Sequence, residues 1–176
     1  MSKQVVKKGT KKQTTKKAVK KKQPAKKIPH VRTGHDAVSI YLTVSDSSKA
    51  IEFYKKAFGA REVGRLVMKN GMIGHAEVKI EGKIIMLADE NKEWGNLSPE
   101  TLNGSPVSIS VYVKNVDNVF KKAIDAGGKQ VMPVSDQFYG DRMGVLLDPF
   151  GHKWSIVTHK ENVSFKEMQK RMDALY

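Results

Sequence analysis

The chain has 176 residues, and its 32 Lys+Arg against 18 Asp+Glu give a formal charge of +14. That charge sits at one end: residues 1–34 hold thirteen basic residues and no acid, while the other 142 carry 19 basic and 18 acidic residues, a net of +1. The lack of cysteine excludes a disulfide framework, thiolate metal sites and a cysteine nucleophile, and no run of 18 apolar residues is present to span a membrane.

The basic segment is read as a tail, residues 1–34. From Lys3 to Lys27 it holds lysine pairs at 7–8, 11–12, 16–17 and 26–27 and a triplet at 20–22, a composition that cannot bury enough apolar surface to fold alone. Lysine is a compact hydrated charge, and no aromatic residue precedes Tyr41, so base reading and base stacking both lack a platform. Diffuse attraction of residues 3–27 to nucleic acid or another polyanion is the functional expectation; a merely solvated tail is the plain one. The N-terminus lacks the apolar core of a secretory signal, which predicts a cytoplasmic protein, with the tail leaving a nuclear or nucleoid location open.

The body, residues 35–176, is long enough for one domain with one core. It matches itself at an offset of 69 residues: Val38-Ser39-Ile40 falls on Val107-Ser108-Ile109, Val44 on Val113, Ala57 on Ala126, and Gly59, Gly71 and Gly82 on Gly128, Gly140 and Gly151. In the first copy an alternating strand, Val38 to Val44, precedes a helical segment whose apolar face is Ala50, Ile51, Phe53, Tyr54, Ala57 and Phe58, closed by Gly59. Three strands follow, near Arg61–Lys69, Gly74–Ile80 and Lys83–Ala88, with Asn70-Gly71 and Glu81-Gly82 as hairpin turns.

Asn91 to Ser105 reads as a linker. The second copy repeats the order with a strand at Val107–Val113, a helix carrying Val119, Phe120, Ala123 and Ile124, and strands near Gln130–Val134, Gly144–Leu147 and His152–Thr158. Ser164-Phe165-Lys166-Glu167 is a capping box opening a last helix, about 164–175, whose stripe of Phe165, Met168, Met172 and Leu175 is expected to dock on the core. The fold expected is α+β: two tandem βαβββ modules, about 36–90 and 107–160 with a linker at 91–106, forming a curved mixed sheet around a cavity, with a C-terminal helix.

Two such modules with "AIEFYKKAFGA", "GHAEV", "MLADE", "GDRMG" and "DPFGHKWSIVTHKE" resemble the vicinal oxygen chelate superfamily of glyoxalases, extradiol dioxygenases and bleomycin-resistance proteins, in its PhnB-like branch. The resemblance implies the fold, a frequent homodimer and, in metal-dependent members, four ligands on the first and last strands of the modules. Carried over, those positions are Ser39, Met86, Ser108 and Ser155. Hydroxyls and a thioether lack the charge and donor strength that a divalent cation needs, so no metal and no cofactor are expected.

Strand alternation turns Tyr41, Thr43, Met86, Ser110, Tyr112 and Ser155 toward the cavity, with Leu146 beside them and Arg142 at the rim, either clamping a ligand carboxylate or phosphonate or pairing with Asp141. His75 and Glu77 point the same way, an imidazole and a carboxylate able to move a proton near neutral pH or simply to satisfy each other. His35, His152 and His159 read as surface or turn residues. Three functions compete: a metal-independent binder of a small organic ligand with a polyanion-binding tail, a lyase or isomerase using His75 and Glu77, and a nucleic-acid-associated protein whose folded domain serves dimerisation.

Overall fold

The computed structural model describes Met1 and residues 28–175. The expectation for residues 3–27 lies outside the described residues. Val31–Tyr176 form one compact unit, and no described helix is long and apolar enough to cross a membrane.

Module one runs β1 (Ile40–Val44), α1 (Ser47–Phe58), β2 (Arg61–Val67), β3 (Ile73–Ile80) and β4 (Lys83–Asp89). After a short helix, α2 (Pro99–Leu102), module two repeats it as β5 (Ser108–Tyr112), α3 (Val116–Asp125), β6 (Lys129–Asp136), β7 (Asp141–Leu147) and β8 (Lys153–His159); α4 (Phe165–Asp173) ends the chain. Each module forms a four-stranded mixed sheet, ordered β1-β4-β3-β2 and β5-β8-β7-β6, in which only the first and last strands of the module run parallel. The expected α+β architecture of paired βαβββ units is therefore present.

Local chemistry sets the helix ends. Asp46 accepts a hydrogen bond from the Lys49 N–H at 3.0 Å to start α1, and Gly59, at φ +65°, closes it by donating to the Lys55 carbonyl. Asn115 does for α3 what Asp46 does for α1, accepting from the Asn118 N–H at 2.9 Å. The linker is more ordered than the sequence predicts. Asn91 caps a 3₁₀ turn at Lys92–Trp94, and Ser98 caps α2; hydrogen bonds from Thr101 and from Ser98 hold the Glu90 carboxyl at about 2.

The modules join through their helix sides. Phe58 and Tyr54 of α1 lie with ring centroids 4.6 and 5.5 Å from that of Trp154 on β8, and each large apolar side chain buried this way contributes about 1.5–3 kcal/mol. Asp148, 4% exposed, sits beneath them and accepts four hydrogen bonds: from the Tyr54 hydroxyl and Trp154 indole at 2.9 Å each, and from the Phe150 and His152 N–H groups at 3.0 and 2.9 Å. Burial, with the Asp148 charge behind it, pushes the Tyr54 hydroxyl well up. His152, read from sequence as a surface or turn residue, lies in the turn before β8 and is buried, its Nε2 3.1 Å from the Thr43 carbonyl across the module boundary.

Two expectations fail here. Helix α4 begins at the predicted box, with Ser164 accepting from the Glu167 N–H, but no residue of α4 is buried, and Phe165 is 90% exposed. Arg171 tethers it instead, donating to Glu161 at 2.8 and 2.9 Å and to the Phe138 carbonyl at 3.2 Å.

The second failure is the 69-residue register on one strand. Tyr41 pairs with Met86 and Ser110 with Ser155, both displaced by 69, but Glu77 faces Met86 while Val145 faces Ser155, a displacement of 68. The cause is the turn that follows it. Ile80 pairs with Lys83 across Glu81-Gly82, both at positive φ, whereas Leu147 pairs with Lys153 across Asp148–His152. A slip of one residue sends every side chain of β7 to the opposite face.

Candidate functional site

On the face of module one away from α1, the strand pairing lays out two rows of side chains: Tyr41, Met86, Glu77 and Gly64, then Thr43, Ala88, His75 and Leu66. The alternation of β3 is what turns His75 and Glu77 out, because Ala76, Val78 and Ile80 are buried in the core. His75 Nε2 lies 3.2 Å from Glu77 Oε1, and the Tyr41 hydroxyl 3.4 Å from His75 Nδ1. A neutral imidazole fits both contacts by donating from Nε2–H to the carboxylate and accepting from the tyrosine at Nδ1.

Two residues absent from the predicted site complete it. Arg32 donates from Nη1 to Glu77 Oε1 at 2.6 Å, and His35 Nε2 lies 3.3 Å from the same oxygen. Glu77 is 6% exposed at its side chain, so one buried carboxylate gathers an arginine and two histidines. Burial alone would raise its pKa; the His75 hydrogen bond and the charges of Arg32 and His35 outweigh that and hold the carboxyl below its ordinary value. Arg32 is an isolated basic residue just past the lysine run, and more than forty residues separate it and His35 from Glu77, so no local spacing announces the contact.

Arg32, Val63, Gly64, Arg65, Leu66, His75 and Glu77 line a cleft of about 240 Å³ over this cluster. Larger grooves of about 380 and 410 Å³ run along the free edges of β1 and β5; the first includes Tyr41 and Thr43, the second Ser110 and Tyr112. Neither contains the His75–Glu77 pair. Their walls are mainly aliphatic, and a groove of about 590 Å³ lined by Asp46, Lys49, Glu52 and Lys56 holds none of the predicted site residues.

The predicted residues thus divide. Tyr41, Thr43, Met86, His75 and Glu77 share the module-one face. Ser110, Tyr112 and Ser155 share the corresponding face of module two, where Tyr112 donates its hydroxyl to Asp141 at 3.1 Å and His159 Nδ1 lies 2.7 Å from the other Asp141 oxygen. His159, expected to be an ordinary surface residue, is thereby ion-paired, and Asp141 raises its pKa with help from Asn162.

Leu146 and Arg142 were expected at the cavity and are not there. The slip of β7 puts Leu146 opposite Trp154, wholly buried in the core, and Val145 takes the cavity-side place. Arg142 pairs with Thr158 on the helix side, where it donates to Asp117 at 2.7 and 2.9 Å and to Asp136 at 3.2 Å. It is spent on holding the start of α3 rather than on Asp141 or a ligand.

The metal positions shift as well. Met86 lies beside Tyr41, not Ser39, and Ser155 beside Ser110, not Ser108. Either pairing offers hydroxyls and a thioether without carboxylate or imidazole, a donor set that does not fit a divalent cation. Among the described residues no group of three or more His, Asp or Glu is arranged to hold one.

Comparison with known proteins agrees with this architecture. The profile of the Glyoxalase/Bleomycin resistance protein/Dioxygenase superfamily matches residues 27–156. Protein Mb0911c of Mycobacterium bovis, itself uncharacterised, is 40% identical over 141 residues, covering 78% of this chain and 93% of its own. Among solved structures, TioX from Micromonospora sp. ML1 superposes with a TM-score of 0.55 at 25% identity, over 70% of this chain and 98% of its own. A PhnB protein from Bacillus cereus gives 0.55 at 19% identity, over 70% and 99%, a likeness of fold alone. With two βαβββ modules in tandem and the profile spanning both, this chain belongs to the glyoxalase/bleomycin resistance protein/dioxygenase superfamily.

Proposed function

We propose that the chain is a metal-independent member of its superfamily that binds a small organic molecule on the module-one face, over Glu77. The observation that carries this reading is the buried Glu77 carboxylate at the floor of a cleft walled by Val63, Gly64 and Leu66. A few polar groups set in an otherwise apolar concavity suit orientation of a small ligand. Thermal-shift screening of the full chain against small organic acids, amines and aromatic compounds tests it; at a hundredfold excess over Kd a ligand stabilises by about 2.7 kcal/mol. Added zinc, nickel or manganese should leave the melting temperature unchanged.

The hydrogen-bonded series Tyr41, His75, Glu77 favours a second reading, a lyase or isomerase in which Glu77 orients His75 for proton transfer. His75→Ala separates the two. A binding module loses modest affinity, whereas an enzyme loses about 10²- to 10⁴-fold in turnover.

The lysine tract adds non-specific polyanion binding to this reading, supported by thirteen of the fourteen net charges lying in residues 1–34. With about six to ten phosphates neutralised, affinity for duplex DNA should fall about 10³- to 10⁵-fold between 50 and 200 mM salt. The same tract supports the reading as a nucleic-acid-associated protein, with the folded unit pairing as a homodimer. Exposed Leu66, Val67 and Tyr112 on the sheets support that pairing, and sedimentation equilibrium tests it.

A further inference from the structure

Arg32 sits on Glu77 as a ligand would. It comes from the arm preceding β1, its side chain is 72% exposed, and its one hydrogen bond among the described residues runs from Nη1 to Glu77 Oε1. An arginine so open to water is held weakly and exchanges readily with solvent. Its acceptor is the reverse, a carboxylate 6% exposed that the sheet itself supplies.

The rest of the cleft is shaped for the same kind of group. Glu77 Oε2 accepts no hydrogen bond from a described residue, so half of the carboxylate is left for a donor that arrives as a fork. Gly64 lies directly across the sheet from Glu77, and a Cβ built there meets nothing within 4 Å, so there is room beside the carboxylate. Val63 and Leu66, both exposed, offer apolar walls to a ligand body. Arg65, the other cation of the lining, is engaged elsewhere: it donates to both oxygens of Glu62 and to Ser48. An anion in this cleft would face an ionised carboxylate at close range, which Coulomb repulsion in a partly buried setting opposes.

We propose that the cleft over Glu77 is a site for a guanidinium- or ammonium-bearing small molecule with an apolar body, and that Arg32 is a built-in competitor that fills it when no ligand is bound. The proposal rests on the small-molecule reading of the module-one face and names its ligand class. Arg32 then sets a threshold. Apparent affinity is the intrinsic affinity multiplied by the fraction of molecules whose cleft is open.

The test is calorimetric titration of the full chain with phenylguanidine, with phenylurea as its neutral analogue and benzoate as an anion of similar size. Phenylguanidine should bind, and Arg32→Ala should tighten it about tenfold, the factor for a competitor present nine-tenths of the time. Gly64→Leu, which fills the open space, and Glu77→Gln, which removes the charge, should each abolish it. Should Glu77→Gln fail to fold, Arg32→Ala and Gly64→Leu carry the test, since one side chain is exposed and the other grows into empty space. Unchanged or weakened affinity in Arg32→Ala overturns the proposal, as does phenylurea binding as tightly as phenylguanidine. If benzoate or phenylurea binds and Gly64→Leu removes it, the ligand class falls while the small-molecule reading stands. If no probe binds wild type or Arg32→Ala, the proposal falls, and the broader thermal-shift screen decides the reading beneath it.

Discussion

The two modules share a strand order and a pairing pattern, yet their open faces carry different chemistry. On module one the row Tyr41, Met86, Glu77 crosses the sheet and ends in a buried carboxylate with three basic neighbours; on module two the equivalent row is Ser110, Ser155, Val145. The charged groups of module two lie at the sheet's end, where Asp141 holds Tyr112 and His159. Duplication therefore preserved what the backbone needs and left the face free to diverge, and the single-residue slip of β7 is the place where the copies part. Wherever two βαβββ units are aligned by sequence offset alone, the strand leading into the least similar turn is the one whose face should be distrusted.

That slip is anchored by Asp148, and removing the anchor should be the most damaging change. In module one two residues at positive φ make the turn, with no side chain needed. In module two Asp148 satisfies four buried donors, two of them backbone N–H groups of the turn itself. Asp148→Ala strands all four, and a loss of about 3–4 kcal/mol is expected by urea denaturation. Tyr54→Phe removes one donor and keeps the packing, so it should cost about 1.5–3 kcal/mol. Equal losses for the two variants would show that the turn does not depend on Asp148.

Two glycines sharpen the contrast next. A Cβ at Gly144 would lie 2.7 Å from ring carbons of Phe120 and 2.8 Å from Val134, while one at Gly64 meets nothing. Gly144→Ala should therefore cost about 1–3 kcal/mol through overpacking under α3. Gly64→Ala should stay within about 0.5 kcal/mol of wild type. The module-one counterpart of Gly144 is the buried Ala76, displaced by 68, so the extra carbon is accommodated there.

How far the sequence could be read follows from the range of each interaction. The cap at Ser164, the glycine closing α1 and the alternation on β3 are local, and all were legible. So was the inward turn of His75 and Glu77, because three apolar neighbours on the same strand demanded the opposite face. Leu146 and Arg142 were misplaced because the loop from Asp148 to His152 pairs differently from the turn it aligns with, which no residue in β7 reveals. The stripe of α4 has the right period, but periodicity records an apolar face and not a neighbour to cover it. Arg32 and His35 reach Glu77 through tertiary contact alone.

Acid titration should separate the two faces further. The Glu77 carboxyl is depressed in the folded state, so its stabilising contribution is complete above the pKa of an unfolded glutamate and is lost as pH falls through the folded value. Stability of the wild type should decline through that acid range, and Glu77→Gln should flatten the decline while lowering stability at pH 7. A decline of unchanged steepness in Glu77→Gln would assign the acid limb to other carboxylates, among which Glu62, held at about 2 by Arg65 and Lys55, is the first to test.

The smallest effect belongs to module two and runs in the opposite direction. His159 donates to Asp141 from Nδ1, and its Nε2 lies 3.0 Å from Asn162 Oδ1, so both nitrogens face oxygen acceptors and the charged imidazolium satisfies both. Its raised pKa means that the stabilisation is fully present below the unfolded histidine value, near 6.5. It is lost as pH rises through the folded value. The side chain is half exposed, so water and salt screen the pair and the loss should be slight. His159→Gln should remove this neutral-pH step while leaving the acid limb of Glu77 in place, read as melting temperature between pH 5 and 8.5 at low salt. If the step survives His159→Gln, it belongs to another group, and the Asp141 pair contributes nothing measurable.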